Sequence, residues 1–244
     1  MARRTKENHS AKAELAMPGR LPARSFFEER AEHVAPHLLG KLLVVRTGTQ
    51  VLAGRIVEVE AYLGPHNDPP DPAAHSFRGP TPRNLVIFGP AAHAYVYAIY
   101  GRYFCMNVSC EADGQAGCVL LRALEPVSGQ LAMARNRGLT AVAAPRELTG
   151  GPSRLCQALG LTRAGFNGLD LLDPDSPLQL REDGFAPHEV LVTPRIGIHE
   201  AVDWPLRFAM PGNPCVSGPK SLIGKRIPID GKIDLNNLVS FTQD

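Results

Sequence analysis

Residues 94–110 read Ala94-Tyr95-Val96-Tyr97-Ala98-Ile99-Tyr100-Gly101-Arg102-Tyr103-Phe104-Cys105-Met106-Asn107-Val108-Ser109-Cys110. Aromatic and β-branched residues run up to and away from a glycine, which predicts a β-hairpin with its tip at Tyr100-Gly101-Arg102. Four of the five tyrosines of the chain fall here, and Tyr62 is the fifth. With aromatics at only 6% of the sequence, that clustering is informative. Tyr97 and Tyr100, three residues apart on an extended strand, point to opposite faces. Aromatic rings stack on nucleobases, and a hairpin tip can act as a wedge between base pairs. Core packing would explain most of these rings as well. A tyrosine at a turn tip beside an arginine is harder to explain as core.

On either side of the hairpin the pattern stays mixed. Leu42 to Arg46, a Thr47-Gly48-Thr49 turn and Val51 to Tyr62 read as another hairpin. Cys118 to Leu124 reads as a buried strand with one charge, Arg122, and Val190 to Ile198 as a further strand. Helices are expected from Ser25, where Ser25-Phe26-Phe27-Glu28 forms a capping box, and in a short segment with Pro36 in its first turn and Gly40 at its end. Two more are expected over 128–137 and 152–160. Residues 63–93, rich in Pro, Gly, His and Asp, form a loop long enough to suggest a function. No internal repeat is visible. Hairpins and separate helices point to α+β: one domain with a mixed, mostly antiparallel sheet, peripheral helices and a protruding hairpin.

The bulk properties bound the reading. A chain of 244 residues with 44% hydrophobic content builds one ordinary domain. Its expected limits are 23–219, between a flexible basic tail at 1–22 and an extension of unassigned role at 220–244. A net charge of +2 gives weak support for a nucleic-acid partner. Five cysteines without a CxxC pair read as reduced, buried thiols, and no Cys/His spacing suits a metal. No apolar run approaches the ~18 residues of a membrane helix, so no membrane partner is expected.

Three constellations could carry chemistry. Glu58, Glu60 and Tyr62 share one face of a strand, the carboxylates about 7 Å apart. A glutamate at a strand end beside a long loop could act as a general base, although the spacing alone favours a solvated, charge-alternating face. Arg122 needs a partner in its apolar strand. Glu125 or another acid would serve, as would Glu60 in a site that orders a water. Gly150-Gly151-Pro152-Ser153-Arg154 opens a helix, where Gly151 and Ser153 could meet a phosphate or simply cap it.

Taken together the strings resemble the alkyladenine (3-methylpurine) DNA glycosylase family. They are RIVEVEAYLGP (55–65), AAHS (73–76), TPRN (81–84), YVYAIYGRYFCMNVS (95–109), CVLLRALEP (118–126), GPSRLCQALG (151–160), PRIGI (194–198) and PLRF (205–208). The resemblance implies base excision repair by a monofunctional glycosylase. Such an enzyme flips an alkylated or deaminated purine from duplex DNA and hydrolyses its glycosidic bond, as a monomer and without cofactor or metal. Glu60 would be the general base holding the water, with Arg122 and the Ile196 carbonyl as its other anchors. Glu58→Gln, as the control for Glu60→Gln in base release, is expected to be mild. Tyr62, His75 and Tyr97 would sandwich the base, and Asn107 would clash with the guanine amino group. Tyr100 would be the wedge, with Arg102 beside it where a relative has an apolar residue. The resemblance places the protein in the cytoplasm of a bacterium or the nucleus of a eukaryote. Between Arg55 and Lys220 there is no lysine, so no Schiff-base nucleophile and no strand cleavage are expected. An insert at His66–Pro72 lengthens the loop ahead of His75. A non-catalytic protein that binds damaged DNA through the same wedge and pocket is the alternative.

Overall fold

The computed structural model describes residues 18–139, 143–219 and 224–229. The expected tail therefore lies outside the described residues up to position 17, as does most of the expected extension. Strands run in chain order β1 (Leu42–Thr47), β2 (Gln50–Tyr62), β3 (Ala94–Ile99), β4 (Tyr103–Cys110), β5 (Gly117–Ser128), β6 (Leu178–Arg181), β7 (Glu189–Thr193), β8 (Arg207–Ala209) and β9 (Lys225–Pro228). Helices are α1 (Ala31–Leu38), α2 (Gln130–Asn136), α3 (Pro145–Thr149), α4 (Pro152–Leu159) and α5 (Arg163–Phe166). The sheet order is β3-β4-β5-β2-β8-β7-β9, with β1 pairing β2 and β6, and every pairing among the described residues is antiparallel. The chain is α+β, with the β3–β4 hairpin at one edge.

The long strand β2 organises the sheet. One edge pairs with β5 along most of its length, while the other takes β1 over Gln50–Arg55 and β8 over Glu58–Glu60. Its apolar side, with Ile56, Val59 and Ala61, joins Leu121 and Leu124 of β5 and residues of α1, α2 and α4 in the main core. The opposite side carries the polar residues and lies under the long 63–93 loop, where Ile87, Tyr95, Ala116 and Cys118 form a second, smaller cluster.

A local irregularity decides which side chains reach that opposite side. Ile56 faces Leu124, Glu58 faces Ala123 and Val59 faces Leu121, so Val57 and Arg122 are each extra in their strand. Bulges re-aim side chains. Here Val57 and Ala123 fall in a cluster with Cys215, away from the main core, and Glu58 and Arg122 meet on that same side.

Two helix expectations need correction. The chain at Ser25 forms only a 3-10 turn, Arg24–Phe26, and α1 begins at Ala31. The Arg24 guanidinium is held by the Ala91 carbonyl and Asp170, and Phe27 is drawn fully into the core, which fixes a turn where a helix would have to start. Pro36 sits inside α1, not in its first turn. The expected strand at 190–198 ends at Thr193, just before Pro194, and its last residues form a turn. Pro18 and Gly19 accept hydrogen bonds from Arg181, and Arg20 pairs with Glu182. Residues 225–228 add an edge strand to β7. All five cysteines are free and buried.

Candidate active site

Glu58 and Glu60 are both fully buried, which overturns the solvated-face reading. Burying a carboxylate without partners costs several kcal/mol, so the partners decide whether the arrangement can exist. Glu58 has a full set. Its Oε1 accepts from Arg122 Nε at 2.8 Å, Arg207 Nε at 2.7 Å and the Ser217 hydroxyl at 2.9 Å, and its Oε2 accepts from the Ser217 N–H at 2.6 Å. Burial alone would push this carboxyl up. The Arg122 and Arg207 guanidiniums and the Ser217 amide outweigh it and hold the group below the usual carboxylate range.

Arg122 bridges the two acids. Beyond Glu58 it reaches Glu60 Oε1 through Nη1 at 3.1 Å, and its Nη2 donates to the Ser217 hydroxyl at 3.1 Å. The two partners open at the sequence level, Glu60 and some other acid, are therefore both present. The other acid is Glu58, while Glu125 is turned to Asn213. Glu60 completes its shell with the Ile196 N–H at 2.8 Å and the Tyr62 hydroxyl at 3.0 Å. The Ile196 backbone thus meets the acid through its N–H.

Tyr62, whose hydroxyl holds Glu60, forms part of the wall of a cavity of about 260 Å³, lined also by Ala73, His75, Tyr97, Asn107, Cys118, Gly197 and Ile198. The fold brings the four expected base-pocket residues into one wall system from three distant segments. His75 meets the Tyr97 ring edge-on, with centroids 4.6 Å apart, and its Nδ1 lies 3.0 Å from the Tyr95 hydroxyl. Tyr97 stacks on Tyr95 at 5.2 Å. The TPRN stretch braces the loop that carries His75. Asn84 Oδ1 accepts from the Thr81 N–H and hydroxyl, and its Nδ2 donates to the His75 carbonyl at 2.8 Å. Asn107 is buried and accepts the Cys118 thiol at 3.7 Å.

The walls are electrically neutral. Burial, reinforced by nearby Arg83, lowers the His75 pKa, so its imidazole is uncharged at neutral pH. Burial likewise pushes the Tyr95 hydroxyl up to about 12 and the Tyr62 and Tyr97 hydroxyls higher still. The buried Glu58–Arg122–Glu60 cluster meets this wall through the Tyr62 hydroxyl, and the Arg83 and Arg195 guanidiniums lie 5.5 and 4.6 Å over the Tyr97 and Tyr62 rings. Neutral π faces beside a fixed carboxylate can hold a flat, electron-poor ring and stabilise positive charge that develops next to it.

The hairpin tip is built for exposure. The last β3–β4 pair is Ile99 with Tyr103, which leaves Tyr100-Gly101-Arg102 as the loop. Tyr100 (φ +49°) and Gly101 (φ +75°) are consecutive left-handed residues, the geometry that suits a tight hairpin. For a non-glycine residue it costs about 1–2 kcal/mol. The strained Tyr100 is 90% exposed and lies in the turn beyond the end of β3. Arg102 lies 4.7 Å over the Tyr103 ring and shares a surface groove with Ser153 and Gln157 of α4. Gly151 precedes that helix without a side-chain cap. The sequence did not show that the hairpin base and the start of α4 would meet. It also missed Arg207, Ser217, Asp71, Arg195 and Tyr95, whose partners lie far off along the chain.

Comparison with known proteins fits this arrangement. Residues 25–214 match the family described as methylpurine-DNA glycosylase. A protein of Koribacter versatilis is 50% identical over 211 residues, covering 86% of this chain and 99% of that protein. One from Burkholderia lata is 46% identical (83% and 93%), and one from Methanoculleus marisnigri 48% (81% and 98%). Each bears the name "Putative 3-methyladenine DNA glycosylase".

The buried network has a direct consequence for stability. Glu58→Gln removes the charge that two buried arginines share, at a cost of about 3–5 kcal/mol. At roughly 2–4 °C per kcal/mol for a chain of this size, the melting temperature should fall by about 6–20 °C. A depressed folded pKa stabilises the fold fully above the ordinary carboxylate value of 4.5 and loses that contribution as pH falls through the lower folded value. The gap between wild type and Glu58→Gln should therefore be constant at neutral pH and narrow as pH falls below 4.5. Melts from pH 7 to pH 2.5 check this, and a gap that does not narrow below pH 4.5 contradicts it.

Proposed function

The chain belongs to the methylpurine-DNA glycosylase family, and from that premise we propose that it is a monofunctional DNA glycosylase of base excision repair. It turns a damaged purine out of duplex DNA into the tyrosine-walled cavity, hydrolyses the glycosidic bond and leaves an abasic site. The observation that carries the reading is the buried Glu60 carboxylate bonded to Tyr62 of the cavity wall, with an exposed tyrosine at the tip of the neighbouring hairpin.

A base inside the stack cannot reach such a cavity, so the nucleotide has to be extruded at a cost of a few kcal/mol. Tyr100 offsets part of that cost by filling the gap. The purine lies between the faces of Tyr62, His75 and Tyr97, and the cationic form of an alkylated purine gains cation–π attraction there. Asn107 stands at the edge of the pocket as a steric check on the guanine amino group. A water held by Glu60, Arg122 and the Ile196 carbonyl attacks C1′ of the sugar. The bond from C1′ to the purine nitrogen breaks, its electron pair leaves with the base, and Glu60 takes the water proton. The Glu60 charge also stabilises the positive sugar while it lasts. A cationic purine leaves as a neutral molecule and needs no proton from the protein, in keeping with the neutral His75. The enzyme acts as a monomer, and no amine attacks the sugar, so the strand stays intact.

Glu60→Gln should still bind lesion duplex and release base ~10²–10⁴ times more slowly. Single-turnover release on a duplex with one methylated purine measures this; a rate within a few-fold of wild type would remove Glu60 from the chemistry.

Tyr100→Ala should weaken the flipped state by a few kcal/mol on stably paired lesions, and by less where the lesion is mismatched or single-stranded. Because the ring is 90% exposed, the melting temperature should not move. Equal defects on paired and single-stranded substrates would deny the wedge role.

A further inference from the structure

Three stretches of chain supply most of the cavity wall: the end of β2 with Tyr62, the loop with Ala73 and His75, and the turn after β7 with Gly197 and Ile198. One ion pair joins all three. The fully buried Arg195 directs Nη1 and Nη2 at the two carboxylate oxygens of Asp71, at 2.5 and 2.9 Å. Nη1 also donates to the Ala61 carbonyl at 3.1 Å, and the guanidinium lies 4.6 Å over the Tyr62 ring. Asp71 in turn accepts the Leu63 N–H at 3.1 Å and the Ala73 N–H at 3.0 Å. Arg195 is not among the residues that line the cavity, and its guanidinium covers a face of the Tyr62 ring.

What this pair touches is one step from Glu60. Arg195 precedes Ile196, whose N–H holds Glu60 Oε1, and it backs the ring whose hydroxyl holds Glu60 Oε2. Stability alone does not demand such a pair, because apolar side chains of similar volume serve a buried position as well or better. A guanidinium–carboxylate fork supplies geometry: its two parallel bonds fix direction as well as distance. A catalytic group displaced by about 1 Å can lose about 10² in rate.

We propose that Arg195 and Asp71 are positioning residues for base release: the pair holds Tyr62 and Ile196 where they orient the Glu60 carboxylate. The inference rests on the glycosylase reading of the site. Its test combines two measurements on Asp71→Asn and Arg195→Lys, the second keeping the charge while losing the fork. The first is single-turnover base release set against lesion-duplex Kd. The second needs no substrate: the 13Cζ resonance of labelled Tyr62, which reports the hydrogen bond to Glu60, with Glu60→Gln as reference. Release should fall by about 10²-fold in Asp71→Asn and about 10-fold in Arg195→Lys, with Kd within about threefold of wild type and the Tyr62 resonance moved toward its position in Glu60→Gln. Should Asp71→Asn melt below the assay temperature, Arg195→Lys carries both readouts. Release within about threefold of wild type in the folded variants, or an unmoved Tyr62 resonance, overturns the proposal. If the wild type itself releases no base, the glycosylase reading fails, and the Tyr62 resonance still decides the role of the pair.

Discussion

The Arg122 guanidinium, shared between two buried carboxylates, is the interaction on which the rest of the site depends. Glu58 and Glu60 lie two residues apart on one strand face with no access to solvent. Two such carboxylates side by side repel, and a cation between them offsets the repulsion. The paired irregularity at Val57 and Arg122 puts that cation on the same face and within reach of both acids. Glu58 is then locked by Arg207 and Ser217, which fixes the guanidinium, which in turn fixes one oxygen of Glu60. Division of labour follows. Glu58 is a structural anion with both oxygens committed inward, and Glu60 is the acid bonded to the cavity wall through Tyr62.

Charge and shape are separated in the site. The ionic cluster is buried and multiply bonded, and the aromatic walls themselves are uncharged. On the proposed reading the walls bind a flat cation while the cluster responds to charge on the sugar. The exposed, left-handed Tyr100 belongs to neither part. Its strain and exposure contribute nothing to folding, and strain of that kind gathers at functional positions.

Much of this was legible in the sequence, and the boundary has physical reasons. The hairpin and its exposed tip follow from alternation around one glycine. The shared face of Glu58, Glu60 and Tyr62 follows from the period of a strand. Burial of that face did not, because period-two spacing is the same whether the polar side meets water or a covering loop. What identifies Glu58 as buried are Arg207 and Ser217, 149 and 159 residues away, and no local pattern announces such partners. Arg195 and Asp71, 124 residues apart, were hidden for the same reason. At Ser25 the capping-box pattern was present, but the burial of Phe27 and the grip of Asp170 on Arg24 outweighed it. Local propensity is a weak prior where tertiary contacts compete.

The most direct test of the account is the fate of base, sugar and strand in a single turnover on a duplex carrying a single methylated purine. If a water held by Glu60 attacks the sugar, free base and an abasic deoxyribose with a reducing C1′ form in equal amounts, and the strand stays intact until alkali is added. A broken strand before alkali, a covalent adduct trapped by borohydride, or the absence of free base would contradict it.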